Sequence, residues 1–154
     1  MKTVLLSWSS GKDCAHALAE LRRDPEVEVV GLLTTVNEEF DRVAMHAVRR
    51  ELLLAQAQAV GLPLTTLPLP YPCSNEEYEV RMRGCLREVV ARGITHVAFG
   101  DLYLQSVREY REDKLRGTGL EPLFPLWGRP TAQLAQEMLA AGARAVLTCV
   151  EPRV

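Results

Sequence analysis

"LLSWSSGKDC", residues 5–14, runs an apolar segment straight into Ser-Ser-Gly-Lys-Asp. The continuous apolar run over 3–8 is the pattern of a strand buried on both faces, the kind found in parallel sheets covered by helices. From Lys12 to Arg23 the period becomes helical, with Cys14, Leu18 and Leu21 on one stripe. The turn between them has the composition of an anion site. Backbone N–H groups and the positive end of the helix dipole face outward there. Gly11 lets the backbone come close to a ligand, Lys12 brings a mobile cation, and the Ser9 and Ser10 hydroxyls can donate to phosphate oxygens. Asp13 is unusual beside an anion; it makes sense if it orients the loop or faces a magnesium ion. The plain alternative is a serine-capped helix after an ordinary turn. A Walker A loop is excluded, because the first glycine of GxxxxGK[ST] falls at Leu6, and GxGxxG is absent.

Working outward, strand and helix periods alternate. Strands are predicted over 27–35, 63–69 and 95–99, with a final strand over 144–150. Between them, Met45, Val48, Leu52, Ala55 and Ala59 recur at steps of three and four and predict a helix ended by Gly61. Ser74 with Glu77 forms a capping-box pattern ahead of a helix whose stripe is Tyr78, Met82, Cys85 and Val89. Residues 106–116 read as helix, 117–131 as a turn-rich loop, and Thr131 as the cap of a last helix through Ala141. Single helices between strands imply βαβ units, hence an α/β fold with a mostly parallel, five-stranded sheet and helices on both faces. Ligands in such sheets bind beyond the carboxyl ends of the strands. That rule selects 9–14, 34–37 and Gly100-Asp101.

Bulk properties set limits. At 154 residues one domain, 1–154, is expected. A net charge of −2 argues against a large nucleic-acid surface, and no apolar run approaches the roughly 20 residues of a membrane span. The N-terminus reads as a strand rather than a signal peptide, which makes the cytoplasm the default compartment. Cys14, Cys73, Cys85 and Cys149 show no CxxC spacing, and His16, His46 and His96 are scattered, so neither a disulfide framework nor a zinc site is supported.

"SSGKDC" resembles the pyrophosphate loop, written SGGxDS, of the N-type ATP pyrophosphatases (PP-loop proteins of the adenine nucleotide alpha hydrolase superfamily). "FGDLYLQSVREYREDKLRGTGLEPLFPLWGRPTAQLAQEML", residues 99–139, is similar to the signature region of the diphthine–ammonia ligase family and its bacterial relatives. The resemblance runs from Lys2 to about Val150 and implies a three-layer Rossmann-like fold of the HUP type. It also implies a reaction: ATP is split between its alpha and beta phosphates, a carboxylate is adenylated, and ammonia displaces AMP to leave an amide. The implied cofactors are ATP and Mg. The implied partners are a carboxylate acceptor, which in the family is carried by a protein, and ammonia, with a homodimer left open.

Carried over by position, Ser7, Ser9, Ser10, Gly11, Lys12, Asp13, Cys14 and Gly100 hold nucleotide, and Thr34 and Thr35 offer backbone groups to adenine. Lys12, Asp13 and Asp101 are the catalytic candidates, with Asp13 facing Mg. His46, Tyr103, Arg108, Glu112 and Glu121 are candidates for the acceptor side. Cys14 stands where the loop pattern ends in Ser, and a small buried helix residue is the expected role. Asp101 as a mere cap and Arg108–Glu112 as a surface ion pair stay open as plain readings. Family members extend past "CVEPRV", residues 149–154, into a region with a "GENGEFHTF"-like motif that helps form the acceptor site; its lack here implies a naturally short form, a truncated chain or an incomplete gene. Two other functions remain open: a PP-loop tRNA-modifying enzyme, for which Cys73 is the candidate thiol, and a non-catalytic nucleotide-binding module.

Overall fold

The alternating periods fold as a βα repeat in the computed structural model, which describes residues 1–153. The order is β1 (Lys2–Ser7), α1 (Lys12–Leu21), β2 (Val27–Asn37), β3 (Arg42–Val43), α2 (Arg50–Val60), β4 (Leu64–Leu69), α3 (Asn75–Ala91), β5 (His96–Ala98), α4 (Gln105–Leu115), β6 (Glu121–Leu123) and α5 (Thr131–Ala140). Five strands run parallel in the order β4-β2-β1-β5-β6. β2 outruns β1: Ser7 pairs with Leu33, so Thr34–Asn37 project beyond it. β4 covers one edge of that projection, and the two-residue β3 pairs antiparallel to the other, Val36 against Val43.

Strand alternation explains the layers. Val4 and Leu6 of β1, with Leu32 of β2, face a core shared with Leu18 of α1, Leu53 of α2 and Leu134 of α5. Leu5, Leu33 and Val97 face the opposite core, with Leu86 and Val89 of α3 and Leu115 of α4. Each such leucine taken from water contributes about 2 kcal/mol. The fold is therefore the expected three-layer α/β sandwich around a mostly parallel sheet. No helix among the described residues is long and apolar enough to cross a membrane.

Several element boundaries differ from the expectation. Residues 144–150 form no strand and lie exposed. The fifth parallel strand is β6, inside the segment read as loop, where His96 pairs with Glu121 and Ala98 with Leu123. A three-residue edge strand tolerates Pro122 and leaves almost no periodic signal. The second helix starts at Arg50 rather than Met45, and its buried stripe is Leu53 and Ala57. Met45, Leu52, Ala55 and Ala59 are exposed. The cause is tertiary: Ala44 N–H donates to Thr35 O at 2.9 Å, Val43 N–H to Val48 O at 2.8 Å, and positive φ at Met45 (67°) and Ala47 (56°) fixes a turn there. Thr131 does not cap α5; that position falls to Pro130. Ser74 does cap α3, its oxygen accepting from Glu77 N–H at 3.1 Å, while the Glu77 carboxylate turns to Arg81.

Candidate functional site

Strand order reverses between β1 and β5: from β1 the chain steps to β2 and β4 on one side, and β5 and β6 lie on the other. The crevice at such a switch point is where open α/β sheets bind ligands. Two loops meet there, 8–11 after β1 and 99–104 after β5. Gly100 lies so close to α1 that a Cβ on it sits 3.0 Å from Cys14 N and 3.2 Å from Asp13 O. A side chain at 100 would thus crowd the backbone of α1, which favours glycine there.

The first loop is held from inside. Trp8 N–H donates to Leu33 O at 2.8 Å, and the buried Thr34 Oγ1 donates to Trp8 O at 2.7 Å. Cys14 Sγ donates to Gly11 O at 3.0 Å, and Ser9 Oγ donates to Cys14 Sγ at 3.6 Å. Burial pushes the Cys14 thiol up, with the Ser9 hydroxyl and loop amides pulling back only in part. The thiol is a neutral internal tie, the small buried residue that the sequence suggested.

Other groups of this loop are left without partners. Ser10 has φ 67°, a left-handed conformation that favours glycine, and it stands where SGGxDS has its first glycine. Its Oγ is buried with no hydrogen-bond partner among the described residues. Gly11 is the N-cap of α1 and offers no side-chain cap. The amides of Lys12, Asp13 and Cys14 bond to no other group among the described residues, as the first turn of a helix leaves them. Lys12 Nζ lies 2.7 Å from Asp13 Oδ1, both side chains reaching solvent. His46 joins the loop: its Cε1 lies 3.9 Å from where a Gly11 Cβ stands.

Beside the loop a cavity of about 620 Å³ opens between the sheet, α3 and α4, lined by Ser7, Trp8, Ser9, Thr34, Thr35, His46, Tyr78, Phe99, Tyr110, Arg111 and Lys114 among others. That is the size range of small-molecule sites. Asp101 is paired with Arg111, Nε to Oδ2 at 3.4 Å, and the Arg111 guanidinium covers the Phe99 ring at 4.9 Å. Lys114 pairs with Glu79. Burial, with the neighbouring Tyr110 adding to it, pushes the Tyr78 phenol up to about 12.

The structure does not gather every candidate. Arg108 and Glu112 form an ion pair at 2.8 Å on another side of α4, where Arg108 covers Phe124 at 4.7 Å and Trp127 at 4.9 Å. Tyr103 is exposed and outside the cavity wall. Glu121 begins β6, level with His96 at the start of β5, and pairs with that histidine at 3.5 Å. It therefore sits at the amino ends of the strands, away from the loops. Conversely, Gln56, Tyr110, Arg111 and Lys114 escaped the sequence reading, which took Tyr78 only as a stripe residue of α3. Gln56 Oε1 accepts from Trp8 Nε1 at 3.0 Å and its Nε2 donates to Ser10 O at 3.3 Å.

The donor set fits a phosphate chain: an orphaned hydroxyl, unbonded first-turn amides, one mobile ammonium and a glycine-lined gap. For a metal, no group of three or more His, Cys, Asp or Glu side chains converges among the described residues. Magnesium is commonly held by one or two carboxylates plus phosphate oxygens and water; the loop carries one carboxylate, Asp13, beside Lys12. A comparison with curated proteins finds no match. The family model for the diphthamide synthase N-terminal domain matches residues 1–122, and with the loop, the switch-point crevice and the fold in agreement, the chain belongs to that family, among the PP-loop ATP pyrophosphatases.

Proposed function

We propose that this chain is a single cytoplasmic domain that binds Mg-ATP and adenylates a carboxylate for amidation by ammonia, as in diphthine–ammonia ligases. One observation carries the reading: the buried, unpartnered Ser10 Oγ beside the unbonded first turn of α1, at the topological switch point. ATP with magnesium supplies the electrophilic phosphorus and the pyrophosphate leaving group. The chain's own residues hold and aim it. First-turn amides, Ser9, Ser10 and Lys12 are placed to bind the pyrophosphate portion and to stabilise charge that grows on it as it leaves. Lys12, which contacts Asp13 at 2.7 Å, would hold phosphate oxygens, and the Asp13 carboxylate would hold the metal. The Thr34 and Thr35 backbone, with Phe99 across the cavity, forms the wall for the adenosine. Arg111 fixes Asp101 at the rim, and His46 closes the loop from the β3 side.

Calorimetric titration with Mg-ATP tests this, run beside Lys12→Ala and Asp13→Ala. Wild type binds saturably and both variants bind more weakly. Ligand at 100 times its dissociation constant adds about 2.7 kcal/mol of stability. Incubation with ammonium and carboxylate acceptors then yields AMP and pyrophosphate. Saturable binding with no AMP under any acceptor reduces the chain to a nucleotide-binding module; absence of binding removes the proposal.

A further inference from the structure

We infer that Gln56 is a positioning residue: through one side-chain amide it clamps the phosphate loop in its binding shape. This rests on the reading of that loop as the nucleotide site. α2 is seated in the core by Leu53 and Ala57, so the residue between them is presented from a fixed base. Its carbonyl oxygen takes the Trp8 indole N–H at 3.0 Å and its NH2 donates to the Ser10 carbonyl at 3.3 Å. The two contacts fall on either side of Ser9 and span the point where the chain leaves β1 and turns into α1.

The second contact matters for the conformation of Ser10. At φ 67° a serine occupies a region that side chains disfavour, and such a residue persists only where its surroundings over-determine it. The chain neighbours of Ser10 supply little: its own hydroxyl is unbonded, and Gly11 is flexible by nature. The bond from Gln56 holds the Ser10 carbonyl inward. With the carbonyl held in, the peptide that follows, carrying the Gly11 N–H, is fixed in direction, and so is the start of α1. Gln56 does not itself line the cavity, so its effect on ligand passes through Trp8 and Ser10, the two residues it holds.

The test is Gln56→Met, which keeps volume and neutrality and removes both hydrogen bonds, read in two ways. In ligand-free protein, the amide resonances of Ser9 to Asp13 shift or broaden in a nitrogen-15 correlation spectrum while resonances of α3 and α4 stay in place. Mg-ATP affinity falls on the order of tenfold, the effect of losing a hydrogen bond of ordinary strength, measured well below a thermal midpoint that itself drops by a few degrees as the buried Trp8 N–H loses its acceptor. The same substitution in a Ser10→Gly background has a smaller effect, since glycine takes positive φ unaided. Unmoved loop resonances, or a Gln56→Met protein that binds Mg-ATP as wild type does, overturn the inference. An equal loss of affinity in the glycine background also overturns it, because the bond then acts elsewhere than on Ser10. A wild type that ignores Mg-ATP refutes the reading of the site instead, and the loop resonances still decide whether Gln56 clamps it.

Discussion

The two loops that meet at the switch point are built on opposite plans. In the loop after β1, polar groups are left over: the Ser10 hydroxyl, the first-turn amides of α1, and an ammonium held only by its neighbour Asp13. In the segment after β5, each charge beside the crevice has a partner. Asp101 has Arg111, and Lys114 has Glu79. Buried polar groups are costly when unpaired, so the surplus on one side is what the proposed ligand would satisfy. The other side is a finished wall that sets the shape.

The largest effect expected from breaking this contrast is at Gly100, where the two loops touch. Gly100→Ala drives a methyl into the backbone of Asp13 and Cys14. It is expected to cost about 1–3 kcal/mol, the range for overpacking, and to displace the open loop while the paired wall stays. Thermal denaturation and a Mg-ATP titration on one preparation check it. Thr34→Val comes next. It leaves the Trp8 carbonyl buried without its 2.7 Å donor and should cost about 1–3 kcal/mol, read from the urea midpoint, with loop amides exchanging faster.

The wall has its own signature in pH. The Tyr78 phenol, ordinarily 10.0, is pushed up to about 12, mainly by burial. The folded state keeps this proton where the unfolded chain has lost it, so the contribution is complete below pH 10 and is lost as pH rises from 10 to 12. Tyr78→Phe should flatten that part of the stability curve relative to wild type, measured as urea midpoints across the window. The smallest effect is expected at the rim. Asp101→Asn breaks a pair whose side chains are 22% and 32% exposed, worth about 0–1 kcal/mol. A larger change in Mg-ATP affinity than in stability there assigns Asp101 to the ligand rather than to the wall.

The open loop was legible in the sequence because its chemistry is local. Ser9 to Cys14 are contiguous, and a helix N-terminus after a buried strand has one direction to face. The alternation of periods likewise gave the parallel sheet and its layers. Features that depend on distant contacts were not legible. Gln56 lies 46 residues from Ser10 and sits in a helix that starts later than its periodicity suggests, because the turn at 44–48 is tied by backbone bonds to β2 and β3. β6 was hidden by its brevity and Pro122, and the apolar run at 144–150 showed strand character without a strand to pair with. Glu121 looked like a site residue only by its place in a motif; register puts it at the other end of the sheet.

The most direct measurement is a nitrogen-15 amide correlation spectrum of the protein titrated with inorganic pyrophosphate. The account predicts saturable shifts that are largest at Ser9 to Cys14, smaller at Gly100 and Asp101, and near zero along α4. Saturable shifts centred on another surface, or no shifts at millimolar pyrophosphate, contradict the assignment of this loop as the phosphate cradle.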